Sequence, residues 1–140
     1  PNSGRASRWR CAFGMRAVDT NVLLRLLVRD DRRQTAAAEA FVGDGAWVSP
    51  LVLAEAMWVL SAVYEREAAQ LIAALEMLLA HRHLVLQDAD TVAAALAHFK
   101  RRPALGFSDC LILEVARKAG HVPLGTFDKT LAALPQTQRL

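Results

Sequence analysis

Apolar positions in this chain fall into two kinds of run, short ones that suit strands and longer ones at helical spacing, and the two kinds alternate. Residues 15–18, "MRAV", read as the first strand of a buried sheet. Residues 21–28 and 32–42 read as helices, separated by the "RDD" turn. "VGDG" signals a turn, and 46–49 is a short strand ending at Pro50. Proline suits a first helical position, so "PLVLAEAMWVLSAVY" continues as a strongly apolar helix. Residues 68–80 make a further helix and "HLVLQ" a third short strand. Residues 88–100 are helical, with acids at the positive end of the helix. "RRPALGFSD" is a loop carrying Pro103 and Gly106, after which Ser108 is the expected N-cap of a helix over 110–119. Gly120 stops that helix, 122–125 is the last strand, and 129–134 makes a final helical turn or two.

Strands alternating with helices predict an α/β fold, a small parallel sheet with helices on both faces. The expected inventory is four or five short strands and about seven helices. No repeat or internal boundary interrupts residues 15–140, which read as one domain. A hydrophobic fraction of 54% allows a proper core, and no apolar run reaches the roughly 18 residues that span a bilayer. The opening "PNSGRASRWRCAFG", residues 1–14, has arginines but no apolar centre, so it is no secretory signal. It reads as a poorly ordered leader or tag.

That leader distorts the charge. The whole chain carries 17 Lys and Arg against 14 Asp and Glu, and setting aside Arg5, Arg8 and Arg10 leaves the two signs equal. Net charge is therefore a weak argument for nucleic-acid binding. The two cysteines, Cys11 and Cys110, form no CxxC pair and have no histidine at zinc-site spacing. A disulfide framework and a zinc site are both excluded, and a reducing cytoplasm is the expected setting.

Four acids stand at element ends. Asp19 follows the first strand, Glu55 lies on the helix after the second, Asp109 opens a helix, and Asp128 follows the last strand. Strand C-termini and the helix starts that follow them share one edge of a parallel sheet, where open α/β folds bind ligands. Four carboxylates gathered there would repel one another, and a divalent cation resolves that. All-oxygen ligands favour Mg²⁺ or Mn²⁺. Each acid has a plain alternative: Asp19 as a helix cap, Asp109 as a partner of the helix dipole, Asp128 as a turn residue. Glu55 lacks one, because "LVLAEAMWVL" offers no obvious solvated face. Trp47, Trp58, Phe99 and Phe107 read as core or core edge, the four histidines as surface, and Asp30, Asp31 and Asp44 as turn acids. Lys100, Arg101 and Arg102 read as a solvated helix end, with an RNA-phosphate contact as the alternative.

With these residues in place, the chain resembles a PIN domain, and within that family a VapC-type toxin of toxin–antitoxin pairs. The resemblance rests on "AVDTNVLLRLL", "VSPLVLAEAMWVL", "LGFSDCLILEVARKAG" and "TFDKTL" in that order, covering residues 15 to about 134. It implies an acidic quartet of Asp19, Glu55, Asp109 and Asp128 around Mg²⁺ or Mn²⁺, with Asn21, Ser49, Ser108 and Thr126 as supporting polar groups. Asp19, Asp109 and Asp128 are the metal ligands on this reading, and Glu55 orients or deprotonates water. The resemblance also implies hydrolysis of RNA phosphodiesters, a homodimer, and inhibition by a VapB-type antitoxin. "PQTQRL" departs from the family pattern, being brief and polar for the last strand such chains commonly have. Two rivals remain. An aspartyl-phosphate phosphatase would want an acid where Asn21 stands, and a non-catalytic PIN-like module would bind RNA or protein without cutting it.

Overall fold

The computed structural model describes residues 14–140, so the leader expected over 1–14 lies outside the described residues except for Gly14. Two helices come first, α1 (Thr20–Val28) and α2 (Arg32–Val42). The strand β1 (Ala46–Val48) leads into α3 (Pro50–Ala62), and α4 (Ala68–Ala80) leads into β2 (Leu84–Leu86). Next come α5 (Ala89–Arg101), a 3₁₀ turn (Pro103–Leu105) and α6 (Phe107–Ala119). The chain closes with β3 (Leu124–Thr126), a 3₁₀ turn (Leu131–Ala133) and β4 (Thr137–Arg139).

The strands are parallel, as the alternation predicts, but the expected sheet of four or five strands is not what forms. β1 pairs with β2, and β3 pairs with β4, as two separate two-stranded ladders. The expected first strand contributes a single parallel bridge, Ala17 opposite Trp47, closed by Val18 N–H to the Trp47 carbonyl at 3.1 Å and Trp47 N–H to the Arg16 carbonyl at 2.8 Å. Strands this short leave the sheet little to hold it beyond the helices packed against it. Among the described residues there are six α-helices rather than about seven, because the expected turn over 129–134 tightens to the 3₁₀ form. The C-terminal strand, doubted for its polarity, does form. A strand at a sheet edge pairs through its backbone and can keep polar side chains in water.

The core gathers around Leu23, Leu53, Met57, Leu75, Leu78 and Phe99, all at most 2% exposed. α5 and α6 form an antiparallel hairpin, and the Phe99 and Phe107 rings meet edge to face with centroids 6.2 Å apart. Lys118 ties the far end of that hairpin to Asp88 at 3.0 Å and Asp90 at 3.1 Å. Truncating a fully buried leucine such as Leu75 in this kind of packing costs about 2–5 kcal/mol.

Candidate active site

The bridge of Ala17 to Trp47 sets two residues level at one sheet edge. Asp19 and Ser49 each stand two residues beyond the bridged pair, and each caps the helix that follows. The Asp19 carboxylate accepts from Val22 N–H at 3.0 Å, and Ser49 Oγ accepts from Val52 N–H at 3.1 Å. The helix starts of α1 and α3 thus lie side by side, with the exposed Asp19 and Asn21 at the first of them. Asp19 answers to both of its sequence readings, a working cap and an acid at the strand end.

Asp109 sits half-buried in the first turn of α6. Ser108 does not cap that helix as expected; the helix starts earlier, and Gly106 is the N-cap, at φ 78° and ψ 140°. A positive φ of this kind favours glycine, and its lack of a side chain leaves the first turn without a side-chain cap. Asp128 follows β3. Its Oδ1 accepts from Thr130 N–H at 2.8 Å and Leu131 N–H at 2.9 Å, while Thr126 Oγ1 accepts from Asp128 N–H at 3.0 Å. Burial first, and then the negative charge of Asp128, push the Asp109 carboxyl above the usual carboxylate range. These two acids, remote in sequence, feel each other.

The expectation that Glu55 finds no solvated face is corrected. Glu55 is exposed, on a solvent-facing stripe of α3 shared with Leu51 and Trp58, which are 79% and 63% exposed. Because α3 is apolar all round, periodicity does not reveal which face is outward. Trp58 is corrected with it, from core edge to surface. Among the described residues, no three His, Cys, Asp or Glu side chains are placed to hold one metal ion. The structure therefore couples Asp109 with Asp128 and sets Asp19 beside Ser49, without drawing all four acids into one ligand cage.

The PIN domain family model matches residues 16–136, most of the chain. The chain belongs to the PIN domain family. PIN is a nuclease-type fold, and PIN-domain nucleases commonly use divalent metals. No curated protein and no solved structure compared with this PIN domain matches it. The donor chemistry fits a hard divalent cation. Burial first, and then the charge of Asp128, hold the Asp109 carboxyl up in pKa, and a bound cation would offset the repulsion between the two acids.

Two features of this PIN domain escaped the sequence reading. Glu114 is buried on α6, where its carboxylate accepts from Arg117 at 2.5 Å and pairs with His98 Nε2 at 2.7 Å. Arg117 also donates to the Pro135 carbonyl at 2.6 Å, so it ties α6 to the C-terminal segment. His98 is thus no surface histidine. The spacing of Glu114 and Arg117 in "LEVAR" signals a helical ion pair, but the third partner comes from another helix. Around the same cluster, Arg101, Arg102 and Arg117 line a cavity of about 570 Å³. Lys100 instead reaches Glu76 at 3.6 Å. Cys110 is buried, and burial pushes its thiol up to about 11.

Among the described residues, no helix is long and apolar enough to cross a membrane.

Proposed function

We propose that this PIN domain is an Mg²⁺- or Mn²⁺-dependent endoribonuclease, the VapC-type toxin of a type II toxin–antitoxin pair. What supports the reading is membership of the PIN family together with the raised pKa of Asp109, to which burial and then the charge of Asp128 contribute. A divalent ion, when bound, offsets the negative charge that builds on a phosphodiester as water attacks it.

The chain's own groups do the rest. Asp109 and Asp128 would hold the ion, and Asp19, which does not form one ligand set with them in this structure, would have to move in to serve as a third ligand. The turn that engages Asp128 Oδ1 fixes that side chain, so it does not have to be ordered when the ion arrives. Glu55 orients the attacking water or takes its proton from the exposed face of α3. Asn21, Ser49, Ser108 and Thr126 support the acids, Thr126 through the hydrogen bond it accepts from Asp128 N–H. Arg101 and Arg102, on the wall of the basic cavity, and Lys100 beside them contact phosphates flanking the cut.

The proposed partners are an RNA substrate, a second copy of the chain, and a VapB-type antitoxin; the proposed setting is the cytoplasm. Support for the antitoxin is a groove of about 390 Å³ between α1 and α2, lined by Val22, Ala37, Ala38 and Phe41 and ending at Asp19. A second reading is a non-catalytic binding module, favoured by the structural duties that Asp19 and Asp128 already have as caps. Cleavage of RNA assayed with Mg²⁺, with Mn²⁺ and with EDTA, alongside Asp109→Asn, tests the choice. Metal-dependent cutting that the variant loses supports the nuclease. RNA binding without cutting in either metal supports the module.

A further inference from the structure

A cleft of about 480 Å³ opens beside Asp109, between α3, the start of α4 and the start of α6. Its apolar wall is made by Met57, Trp58, Phe99 and Phe107, and its polar wall includes Ser61, Arg66, Ser108 and Asp109. Phe99 and Phe107 are buried and fixed by their mutual contact, whereas the Trp58 ring stands largely in solvent. Arg66 pairs with no acid among the described residues. The uncapped first turn of α6 forms part of the same wall, and helix starts of this kind favour anions.

We propose that this cleft is a nucleotide subsite, in which an unpaired RNA base stacks on Trp58 while Arg66 holds a phosphate of the same strand. The proposal rests on the nuclease reading only for the identity of the substrate. Three observations point to a nucleotide. The cleft has the size usual for small-molecule sites. An exposed aromatic face beside an unpaired cation is how proteins grip single strands without reading sequence. Asp109, a proposed metal ligand, shares the wall, so a base seated here belongs to a nucleotide adjoining the scissile bond. A protein segment would want an apolar lining throughout, and this one carries two serines, a cation and the carboxylates of Glu67 and Asp109. Duplex RNA keeps its bases paired and stacked, so it cannot offer one to Trp58. The cleft therefore makes the enzyme prefer single strands.

Tryptophan emission of the full chain, titrated without Mg²⁺ or Mn²⁺, tests this directly. The probes are a short mixed-sequence RNA strand and the same strand annealed to its complement. The single strand should quench the wild-type emission, and Trp58→Phe should lose that quench while still binding. Trp58→Ala should weaken single-strand binding by about 5- to 150-fold, the range for loss of one stacked base, with duplex binding unchanged. Arg66→Gln should lower the salt dependence of binding by about one phosphate contact. Because Trp58 is exposed, neither replacement opens the core, and thermal melts confirm folding. Single-strand affinity unchanged in Trp58→Ala overturns the proposal, as does an equal loss for duplex. A change in self-association in Trp58→Ala, with RNA binding intact, also overturns it and assigns the face to a second copy. Cleavage measured in parallel keeps the two readings apart. RNA that quenches Trp58 but is never cut sinks the nuclease alone, and RNA cut with Trp58 unquenched sinks the cleft alone.

Discussion

The Asp128 carboxylate raises the pKa of Asp109, although most of α6 and all of β3 separate the two in sequence. Burial is the larger cause and the neighbouring charge the second. Asp128→Asn should therefore lower the Asp109 pKa part of the way back, leaving the share due to burial. A carboxyl titration by NMR in EDTA reads this directly, and an Asp109 unmoved by the substitution would show that the two groups do not interact. If the proposed nuclease mechanism needs both acids charged, the acid limb of the wild-type rate profile should fall at higher pH than an ordinary aspartate would place it.

The same shift has a consequence for stability. The fold binds the Asp109 proton more tightly than the unfolded chain does, because its pKa is raised. The resulting stabilisation is fully present below the unfolded aspartate value near 3.8 and is lost as pH rises through the folded value. At neutral pH in EDTA, Asp109→Asn should melt above wild type, and the difference should shrink as pH falls below that window. Adding Mg²⁺ should raise the wild-type melt more than that of the variant, since only the intact acid set binds the ion tightly. Equal melts under all conditions would mean that Asp109 is solvated and unconstrained.

Asp19 has two duties, and two substitutions separate them. Asparagine caps a helix about as well as aspartate, whereas alanine in place of a cap costs roughly 0.5–2 kcal/mol. Asp19→Asn should keep the bond from Val22 N–H, hold the melting temperature and abolish metal-dependent cleavage. Asp19→Ala should lose both. If Asp19→Asn cuts RNA at the wild-type rate, Asp19 is a cap and nothing more.

Much of this arrangement is legible in the sequence, and the failures share a cause. α2 and α4 lie where their patterns put them, because each has a clear start, a clear stop and an apolar stripe. The positions of Asp19, Asp109 and Asp128 at element ends are legible, because each stands next to a clear start or stop. What the pattern cannot show is which side of a uniformly apolar helix faces water. The exposure of Glu55 and Trp58 is hidden for that reason. Nor can it show a pairing between helices: His98 lies in an ordinary amphipathic stretch, and only the packing of α5 on α6 brings it to Glu114. The last strand escaped because its pairing is made by backbone rather than by side chains.

Glu114 tests that missed cluster. Its carboxylate is buried and engages both His98 and Arg117, so removing it leaves their polar groups without a partner. Breaking such a buried pair costs about 3–5 kcal/mol. Glu114→Ala should lower stability by that order in urea unfolding, and Glu114→Gln, which keeps one acceptor oxygen, by less. A Glu114→Ala protein as stable as wild type would show that the side chain is solvated.

The groove between α1 and α2 bears on the proposed antitoxin. Val22, Ala37, Ala38 and Phe41 give it an apolar lining, with Arg25 and Gln34 on the wall and Asp19 at its end. An amphipathic segment of another chain fits such a groove by laying its apolar side chains along it. A basic side chain at the end of that segment would meet Asp19, and an arginine there would pair with the carboxylate that the metal also needs. Inhibition should therefore weaken as Mg²⁺ rises, since ion and arginine compete for one group. Phe41→Asp should abolish inhibition by disrupting the lining while leaving cleavage near the wild-type rate. Titrating a candidate VapB-type antitoxin against RNA cleavage, at several Mg²⁺ concentrations, checks both expectations. Inhibition that ignores Mg²⁺ but still fails in Phe41→Asp would mean that the partner uses the groove and blocks RNA sterically. Inhibition that survives Phe41→Asp would place the partner on another face.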